Sequence, residues 1–195
     1  MKRPLCIDLC CGLGGWADGF LSEGYDVVGF DIERRRYPGQ LVLQDVKTLE
    51  GWQFRDAACI VASPPCQEYS YRSMPWKRVR TLPPPSNELF DACFRIQREA
   101  IEAGERYIPM VVENVRGAQD WVGRARWHYG SYYLWGDVPA LMPYGRGVKG
   151  FARRFEDTPW VRFGSRSPQR KRKSAEVSRI PFDLAEYVAQ IYKPE

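Results

Sequence analysis

Histidine is almost absent from this sequence, and long apolar runs are missing. His128 is the single histidine, and none of the six cysteines forms a Cys-x-x-Cys pair, so the spacing typical of a structural zinc site is lacking. No apolar run reaches the roughly 18 residues that a membrane-spanning helix needs. The chain begins Met-Lys-Arg-Pro-Leu without the apolar stretch of a signal peptide. We therefore expect a cytoplasmic protein with reduced thiols and no membrane partner.

The composition predicts one compact domain over residues 1–195. Hydrophobic residues make up 44% of the chain and charged residues 27%, which is typical of a folded globular domain. The net charge of +5 is unevenly placed, because residues 145–173 hold ten lysines and arginines against two acids. Such clustering indicates a polyanionic partner, although a solvated basic tail has the same composition.

Apolar runs alternate with helical patterns along the chain. Strands are predicted at residues 5–9, 26–30, 41–43, 57–62, 108–112 and 130–135. Helices are predicted at 15–23, from a cap at Ser86 to an end at Gly104, and at 180–191. This alternation favours a doubly wound, mostly parallel α/β sheet.

Residues 63–70 read Ser-Pro-Pro-Cys-Gln-Glu-Tyr-Ser and follow the fourth predicted strand. Pro64 and Pro65 end the strand and stiffen the turn, because proline fixes φ and cannot donate to a sheet ladder. A thiol on such a turn, Cys66, is placed as a nucleophile would be. The alternative is a small buried apolar residue beside a proline turn.

A glycine-rich segment, residues 8–15, follows the first predicted strand. Gly12, Gly14 and Ala17 satisfy the loose G-x-G-x-x-G/A pattern, and Asp31 ends the second strand nineteen residues after Gly12. Glycines there allow close approach to a ligand, and the acid suits ribose hydroxyls. The segment predicts a dinucleotide or another adenosine-containing cofactor, with a purely structural turn as the alternative.

Together these segments resemble the cytosine-C5 DNA methyltransferases, in the small form found in phages and mobile elements. Residues 8–15 resemble the family's S-adenosylmethionine loop, residues 64–70 its catalytic motif, and Glu113-Asn114-Val115 its Glu-Asn-Val motif. The resemblance implies a Rossmann-like methyltransferase fold and S-adenosylmethionine as cofactor. It implies cofactor contacts from Asp8, Leu9, Cys10, Gly12, Leu13, Gly14, Gly15, Asp31, Ile32, Asp45, Val46 and Pro65.

The resemblance also implies a mechanism. Cys66 would add to C6 of a cytosine flipped out of DNA, so that C5 becomes nucleophilic toward the methyl donor. Glu113 would contact ring N3 in a protonated state, which requires a raised pKa. Asn114 would hold the loop rather than react. Arg124 and Arg126 are the best candidates for the family's base-holding arginine pair; plain surface arginines are the alternative.

One part of the family pattern is missing. A sizeable recognition domain normally precedes the last helix, whereas this chain has a basic, loop-like insertion at 137–179 and a closing helix at 180–192. The family's usual Gly-Asn-Ser start of that helix is also replaced. We expect a monomer with short or relaxed sequence specificity that binds DNA mainly through phosphate contacts. The expected DNA-binding residues are Arg72, Lys77, Arg78, Arg80, Arg153, Arg154, Arg170, Lys171, Arg172 and Lys173.

Three other functions remain open at this point. The glycine loop permits a nicotinamide oxidoreductase that uses Cys66, although such an enzyme leaves Pro-Pro-Cys-Gln and Glu-Asn-Val unexplained. A regulatory DNA-binding protein would keep the scaffold without catalysis. The same chemistry on RNA or a free cytosine nucleotide is the third, because the recognition domain is missing.

Overall fold

The computed structural model describes residues 2–70, 82–142, 172 and 175–194. Within these ranges, strands and helices alternate along the chain. The elements are β1 (Leu5–Leu9), α1 (Gly15–Ser22), β2 (Asp26–Asp31), β3 (Gln40–Leu43), β4 (Cys59–Ala62), α2 (Glu88–Gly104), β5 (Met110–Asn114), α3 (Gln119–Val122), β6 (Trp127–Tyr129), β7 (Tyr132–Gly136) and α4 (Phe182–Ile191).

The strands of the described residues form one sheet in the order β3-β2-β1-β4-β5-β7-β6. Strands β1 to β5 pair in parallel, whereas β7 runs antiparallel to both β5 and β6. The predicted fold class is confirmed: this is an α/β fold with a doubly wound, mostly parallel sheet.

Both faces of the sheet are covered by apolar layers. Successive strand residues point to opposite faces, so Ile7 and Leu9 of β1 join the layer under α2, while Cys6 joins the layer under α1 and α4. In the second layer α1 and α4 lie very close together at Gly19, where any Cβ would overlap the backbone of Glu186. The closing helix is thereby fixed against the first helix.

The ends of the helices differ slightly from the sequence prediction. The N-cap of α2 is Asn87 rather than Ser86, although the Ser86 hydroxyl accepts a hydrogen bond from the Glu88 amide at 3.3 Å. Helix α2 does include Gly104, and Glu105 takes the left-handed conformation after it, with φ of 49°. In α4, Pro181 is the N-cap rather than a first-turn residue.

The sixth predicted strand is shifted and has an unpredicted partner. The structure has β7 at Tyr132–Gly136 rather than at 130–135, and the short β6 pairs with it around a tight turn at Gly130-Ser131. Strand β6 escapes the apolar pattern because Trp127 and His128 are exposed. The hairpin places an edge strand beside the site.

Of the predicted basic insertion at 137–179, the structure describes only 137–142, 172 and 175–179. Among the described helices, none has the length and apolar character needed to cross a membrane. The insertion as a separate region therefore stays a prediction.

Candidate active site

The candidate site lies where the parallel strands end. Strands β1, β2, β4 and β5 all present their carboxyl ends at one edge of the sheet. The chain leaves β1 toward β2 on one side and reaches β4 on the other, which creates the crevice where ligands bind in such folds. The two motif loops predicted from the sequence, after β1 and after β4, flank this crevice.

The loop between β1 and α1 has a backbone that depends on glycine. Gly12 and Gly14 have φ of 51° and 74°, and Cys10 shares this left-handed region with φ of 56°. A side chain at Gly14 would overlap the Pro38 ring, whereas one at Gly12 would meet no atom within 4 Å. Gly12 therefore faces open space, as expected where backbone approaches a ligand.

Asp31 holds this loop in place. Its two carboxylate oxygens accept hydrogen bonds from the Gly12 and Glu33 amides, each at 2.9 Å. A carboxylate has about four acceptor positions, so Asp31 retains capacity for ribose hydroxyls. Sequence reasoning predicted the ribose contact and missed the bond to the loop.

Asp8 lies beneath the loop and is fully buried. Burial raises its pKa to about 8, although a hydrogen bond from the Tyr37 hydroxyl at 3.0 Å acts in the opposite direction. Among the described residues, its Oδ1 has no hydrogen-bond partner. Tyr37 was not predicted; its only sequence signal is Gly29, an isolated strand glycine whose Cβ would overlap the Tyr37 ring.

The other predicted cofactor residues are distributed around the same edge. Ile32 is 73% exposed directly after β2, and Leu43, which was not predicted, is 45% exposed at the end of β3, which leaves apolar surface at the crevice. Asp45 is half-buried and accepts a hydrogen bond from the Lys47 amide at 2.9 Å. Leu9 and Val46 are buried in the core, Gly14 is buried in the loop and Gly15 at the start of α1. Cys10 and Leu13 are half-buried, and Pro65 is exposed.

The loop after β4 is held to both neighbouring strands. The Ser63 amide donates to Leu9 at 3.1 Å, and its hydroxyl accepts from the indole of Trp16 at 3.1 Å. On the other side, the buried Asn114 side chain donates from Nδ2 to the carbonyl of Pro64 at 3.0 Å. Asn114 thus holds the loop through its amide.

Glu113 is buried beside this loop, with 3% of its surface exposed. Ala62 pairs with Val112 in the parallel register, so the chain continuing from β4 runs past Glu113 and Asn114. Burial raises the pKa of Tyr132 to about 12, and the nearby negative charge of Glu113 adds to this shift. The edge therefore brings Glu113 and the half-buried Cys66 to one mouth.

An open cleft of about 620 Å³ adjoins this mouth. Tyr69 lines this cleft, and its amide donates to the Cys66 carbonyl at 3.1 Å. The turn after Cys66 therefore forms part of the cleft wall. A Cβ at Gly117 would overlap the Tyr69 carbonyl, so glycine permits this close approach. The remaining lining includes Ser70, Arg116, Gln119 and Tyr133. Sequence reasoning missed Arg116, whose signal is its place directly after Glu-Asn-Val.

The structure does not bring Arg124 and Arg126 to this cleft. They line a separate groove of about 490 Å³, together with Phe94, Arg98 and Trp135. The Gln119 side chain accepts a hydrogen bond from the Ala125 amide at 3.2 Å. The expected arginine pair therefore lies beside the cleft rather than within it.

Most of the predicted DNA-binding residues lie outside the described residues. They are Arg72, Lys77, Arg78, Arg80, Arg153, Arg154, Arg170, Lys171 and Lys173. Arg172 is described and forms an exposed ion pair with Glu176 at 3.2 Å, a contact of small energetic value.

Comparison of the sequence with protein-family models and with curated proteins finds no match. Solved structures with similar folds include the Schizosaccharomyces pombe Dnmt2 methyltransferase, with a TM-score of 0.43 and 18% identity over 61% of this chain and 36% of that one. A Spodoptera frugiperda DNMT2 mutant gives 0.42 and 18%, over 60% and 37%. The Entamoeba histolytica methyltransferase EhMeth gives 0.48 and 14%, over 75% and 57%. This chain thus spans between 36% and 57% of the length of these proteins, and the likeness concerns the fold.

Proposed function

We propose that this chain transfers a methyl group from S-adenosylmethionine to C5 of cytosine in DNA. One observation carries the proposal: the Asn114 amide binds the Pro64 carbonyl at 3.0 Å. This contact joins the Pro-Pro-Cys-Gln loop to the Glu-Asn-Val strand end, two segments that lie 50 residues apart in sequence. It assembles a thiol and a buried carboxyl at the same mouth.

The crevice fits an adenosine-containing cofactor. Gly12 leaves open space beside the loop backbone, and Asp31 keeps free acceptor capacity at the end of β2. The exposed side chain of Ile32 offers an apolar surface to a flat adenine ring. We assign the loop backbone to the methionine part, Asp31 to the ribose, and Ile32 with Asp45 to the adenine. When bound, S-adenosylmethionine would supply a sulfonium methyl group.

The residues at the mouth suit nucleophilic catalysis. As the Cys66 Sγ–C6 bond forms, the C5=C6 electrons shift to make a C4=C5 bond, and N3 takes a proton that Glu113 would donate. C5 would then attack the methyl carbon, with S-adenosylhomocysteine as the leaving group, and the N3 proton would return to Glu113. Loss of the C5 proton and of the Cys66 thiolate restores the aromatic ring. The position of Glu113, buried beside the loop that carries Cys66, supports this role.

A trapping experiment tests this function. A cytosine carrying fluorine at C5 has no C5 proton to lose, so the Cys66 adduct on DNA persists after methyl transfer. We expect a denaturation-resistant complex from the wild-type protein with S-adenosylmethionine and none from Cys66→Ala. Thermal shift by S-adenosylhomocysteine should be the same for both proteins, which shows that the variant is folded.

The test also separates the other functions. Absence of any adduct with duplex DNA, single-stranded DNA, RNA and dCMP, together with stabilisation by S-adenosylhomocysteine, would indicate a non-catalytic binding role. Stabilisation by NAD but not by S-adenosylhomocysteine would indicate an oxidoreductase. An adduct on RNA or dCMP alone would keep the chemistry and change the acceptor.

We further propose short or relaxed sequence specificity, because only residues 137–179 separate the hairpin from the closing helix. Bisulfite sequencing of DNA from cells that express the protein should show methylated cytosines in many contexts. Methylation confined to one motif of about four or more bases would contradict this part of the proposal, since such readout takes several base contacts.

A further inference from the structure

The groove that contains Arg124 and Arg126 has features that the proposed methyl transfer does not use. Helix α2 forms one wall with Phe94 and Arg98, and the β6–β7 hairpin with the preceding segment forms the other. Its volume is about 490 Å³, within the range of functional pockets. It lies on the α2 side of the sheet.

Residues on one face of the hairpin line both the cleft and the groove. Tyr133 lines the cleft and Trp135 lines the groove. They are two residues apart in β7, so they lie on the same face about 7 Å apart. His128 stacks on Tyr133 with ring centroids at 5.1 Å and an angle of 19° between the rings. Arg126 follows in the same ladder, since its amide donates to Leu134 at 2.9 Å.

The guanidinium groups of the groove are not used to hold the fold. In the part of the chain that the structure describes, Arg98, Arg124 and Arg126 form no side-chain hydrogen bond and no ion pair, and all three are exposed. Arg95, one turn earlier in α2, contrasts with them. It forms an ion pair with Glu99 at 2.8 Å and donates to Leu49 at 2.9 Å.

Among the described residues of the groove wall, these three cations face one carboxylate, that of Asp91. The groove therefore complements a polyanion, and the neighbouring stacked rings complement a planar base. Proteins that bind single strands combine these two features, because a positive groove follows the backbone while aromatic rings stack on bases. In a duplex each base is stacked between its neighbours, so its face is not available to an aromatic ring on the hairpin.

We infer that this groove binds the single-stranded segment of nucleic acid adjoining the target cytosine. The phosphates of this segment lie along Arg98, Arg124 and Arg126, and one of its bases stacks on the His128–Tyr133 pair. The inference rests on the proposed function, because it takes the cleft to hold the target base. It narrows the acceptor to a strand that is unpaired beside the target, in DNA or RNA.

Binding of fluorescein-labelled 12-nucleotide single strands tests the groove by anisotropy. Arg98→Ala/Arg126→Ala removes one cation from each wall, and Lys2→Ala/Arg3→Ala removes the same charge at the opposite end of β1. We expect the groove variant to raise Kd about tenfold or more and to reduce the salt slope by roughly 0.7 to 1.4. The control variant should change Kd less than about threefold. Equal effects of the two variants would overturn the inference.

His128→Ala provides a second measurement that does not depend on charge removal in the groove. Loss of a stacking platform should weaken binding of the single strand about fivefold or more. The effect should disappear on a strand of abasic sites, which retains the phosphates. The inference fails if His128→Ala weakens both strands alike, or if the groove variant weakens blunt duplex as much as single strand.

Parallel arms with single-stranded DNA and RNA of the same sequence identify which source is bound. A tenfold weaker binding by the groove variant, to either DNA or RNA, supports the assignment of the groove. The trapped adduct of the wild-type protein reports separately on the proposed function. An adduct without a groove effect overturns this inference alone, whereas a groove effect without any adduct overturns the methyl transfer.

Discussion

Two regions meet at the carboxyl edge of the sheet, and each places a buried carboxyl under a loop. The cofactor region, formed by the ends of β1, β2 and β3, has Asp8 beneath the glycine loop. The region proposed to hold the acceptor, formed by the ends of β4 and β5 with the hairpin, has Glu113 beside the Pro-Pro-Cys-Gln loop. Asp8 and Glu113 are 0% and 3% exposed, but their surroundings differ.

The cofactor loop is held by neighbouring sequence, since Asp31 binds Gly12 from the adjacent strand and Pro38 packs on Gly14. The acceptor loop is held from a distance, because Asn114 reaches Pro64 across 50 residues. The difference indicates that the cofactor region is preorganised as a unit, whereas the acceptor region depends on the pairing of β4 with β5. Variants that affect one region without the other test this division.

The largest expected difference between the effects on the two regions comes from Asn114→Ala. The variant loses the bond to the Pro64 carbonyl, so the loop that carries Cys66 is no longer fixed to the strand end that carries Glu113. We expect methyl transfer to fall about a hundredfold, as for a nucleophile displaced by about 1 Å. The Kd for S-adenosylhomocysteine should change less than about threefold. Single-turnover kinetics and calorimetry measure the two quantities.

Gln97→Ala is the matched control for Asn114→Ala. The Gln97 amide is also buried, and it donates to the Ile108 carbonyl at 2.9 Å near the other end of β5. Each substitution should lower the free energy of unfolding by about 1 to 3 kcal/mol. Only Asn114→Ala should slow methyl transfer. A similar loss of transfer in both variants would mean that stability, rather than loop position, controls activity.

Gly12→Ala should affect the cofactor region instead, and Gly24→Ala is its control. Both glycines have positive φ, 51° and 81°, and a Cβ added at either position would meet no other atom within 4 Å. Each alanine should therefore cost about 1 to 2 kcal/mol of backbone strain. Only the methyl group at residue 12 should enter the cofactor space, and we expect it to raise the Kd for S-adenosylhomocysteine at least about tenfold. Equal Kd values for both variants would contradict the assignment of the loop.

These two regions also differ in how far the sequence predicted them. The glycine loop, Asp31 and strands β1 to β5 were predicted because local spacing and apolar runs determine them. The dual role of Asp31 was only half predicted, since the bond to Gly12 depends on how the loop folds back. Tyr37 reaches Asp8 across 29 residues, and such a contact has no periodic signal.

In the acceptor region, the register of the hairpin determines where Arg124 and Arg126 lie, which the sequence left open. Arg124 and Arg126 have the spacing of a base-holding pair, but the turn at Gly130-Ser131 places them beside Trp135 rather than at the cleft. A strand of three residues such as β6 is too short for alternation to define its faces. The position of the two arginines could therefore be known only from the three-dimensional pairing of β6 with β7.

A smaller effect is the pH dependence of stability that the buried carboxyl of Asp8 causes. The pKa of Asp8 is raised to about 8 in the folded protein, so the native state binds a proton that the unfolded state releases near pH 4. The free energy of unfolding should therefore fall as the pH rises from about 4 to about 8, by an amount on the order of a few kcal/mol. Urea unfolding of wild type and Asp8→Asn across this range measures the effect. The same slope in both proteins would contradict it.

The smallest expected effect is that of Tyr37→Phe, which tests the contact beneath the cofactor loop. Loss of the hydroxyl should cost about 1 kcal/mol. Because the Tyr37 hydrogen bond lowers the pKa of Asp8, its removal should also shift the pH-dependent loss of stability to higher pH. Tyr25→Phe is the matched control, since this buried hydroxyl donates to the Ala189 carbonyl at 3.0 Å, in the layer between the sheet and α4. Tyr25→Phe should lose similar stability without changing how stability depends on pH. A pH shift in both variants would mean that the shift in Tyr37→Phe does not come from its hydrogen bond to Asp8.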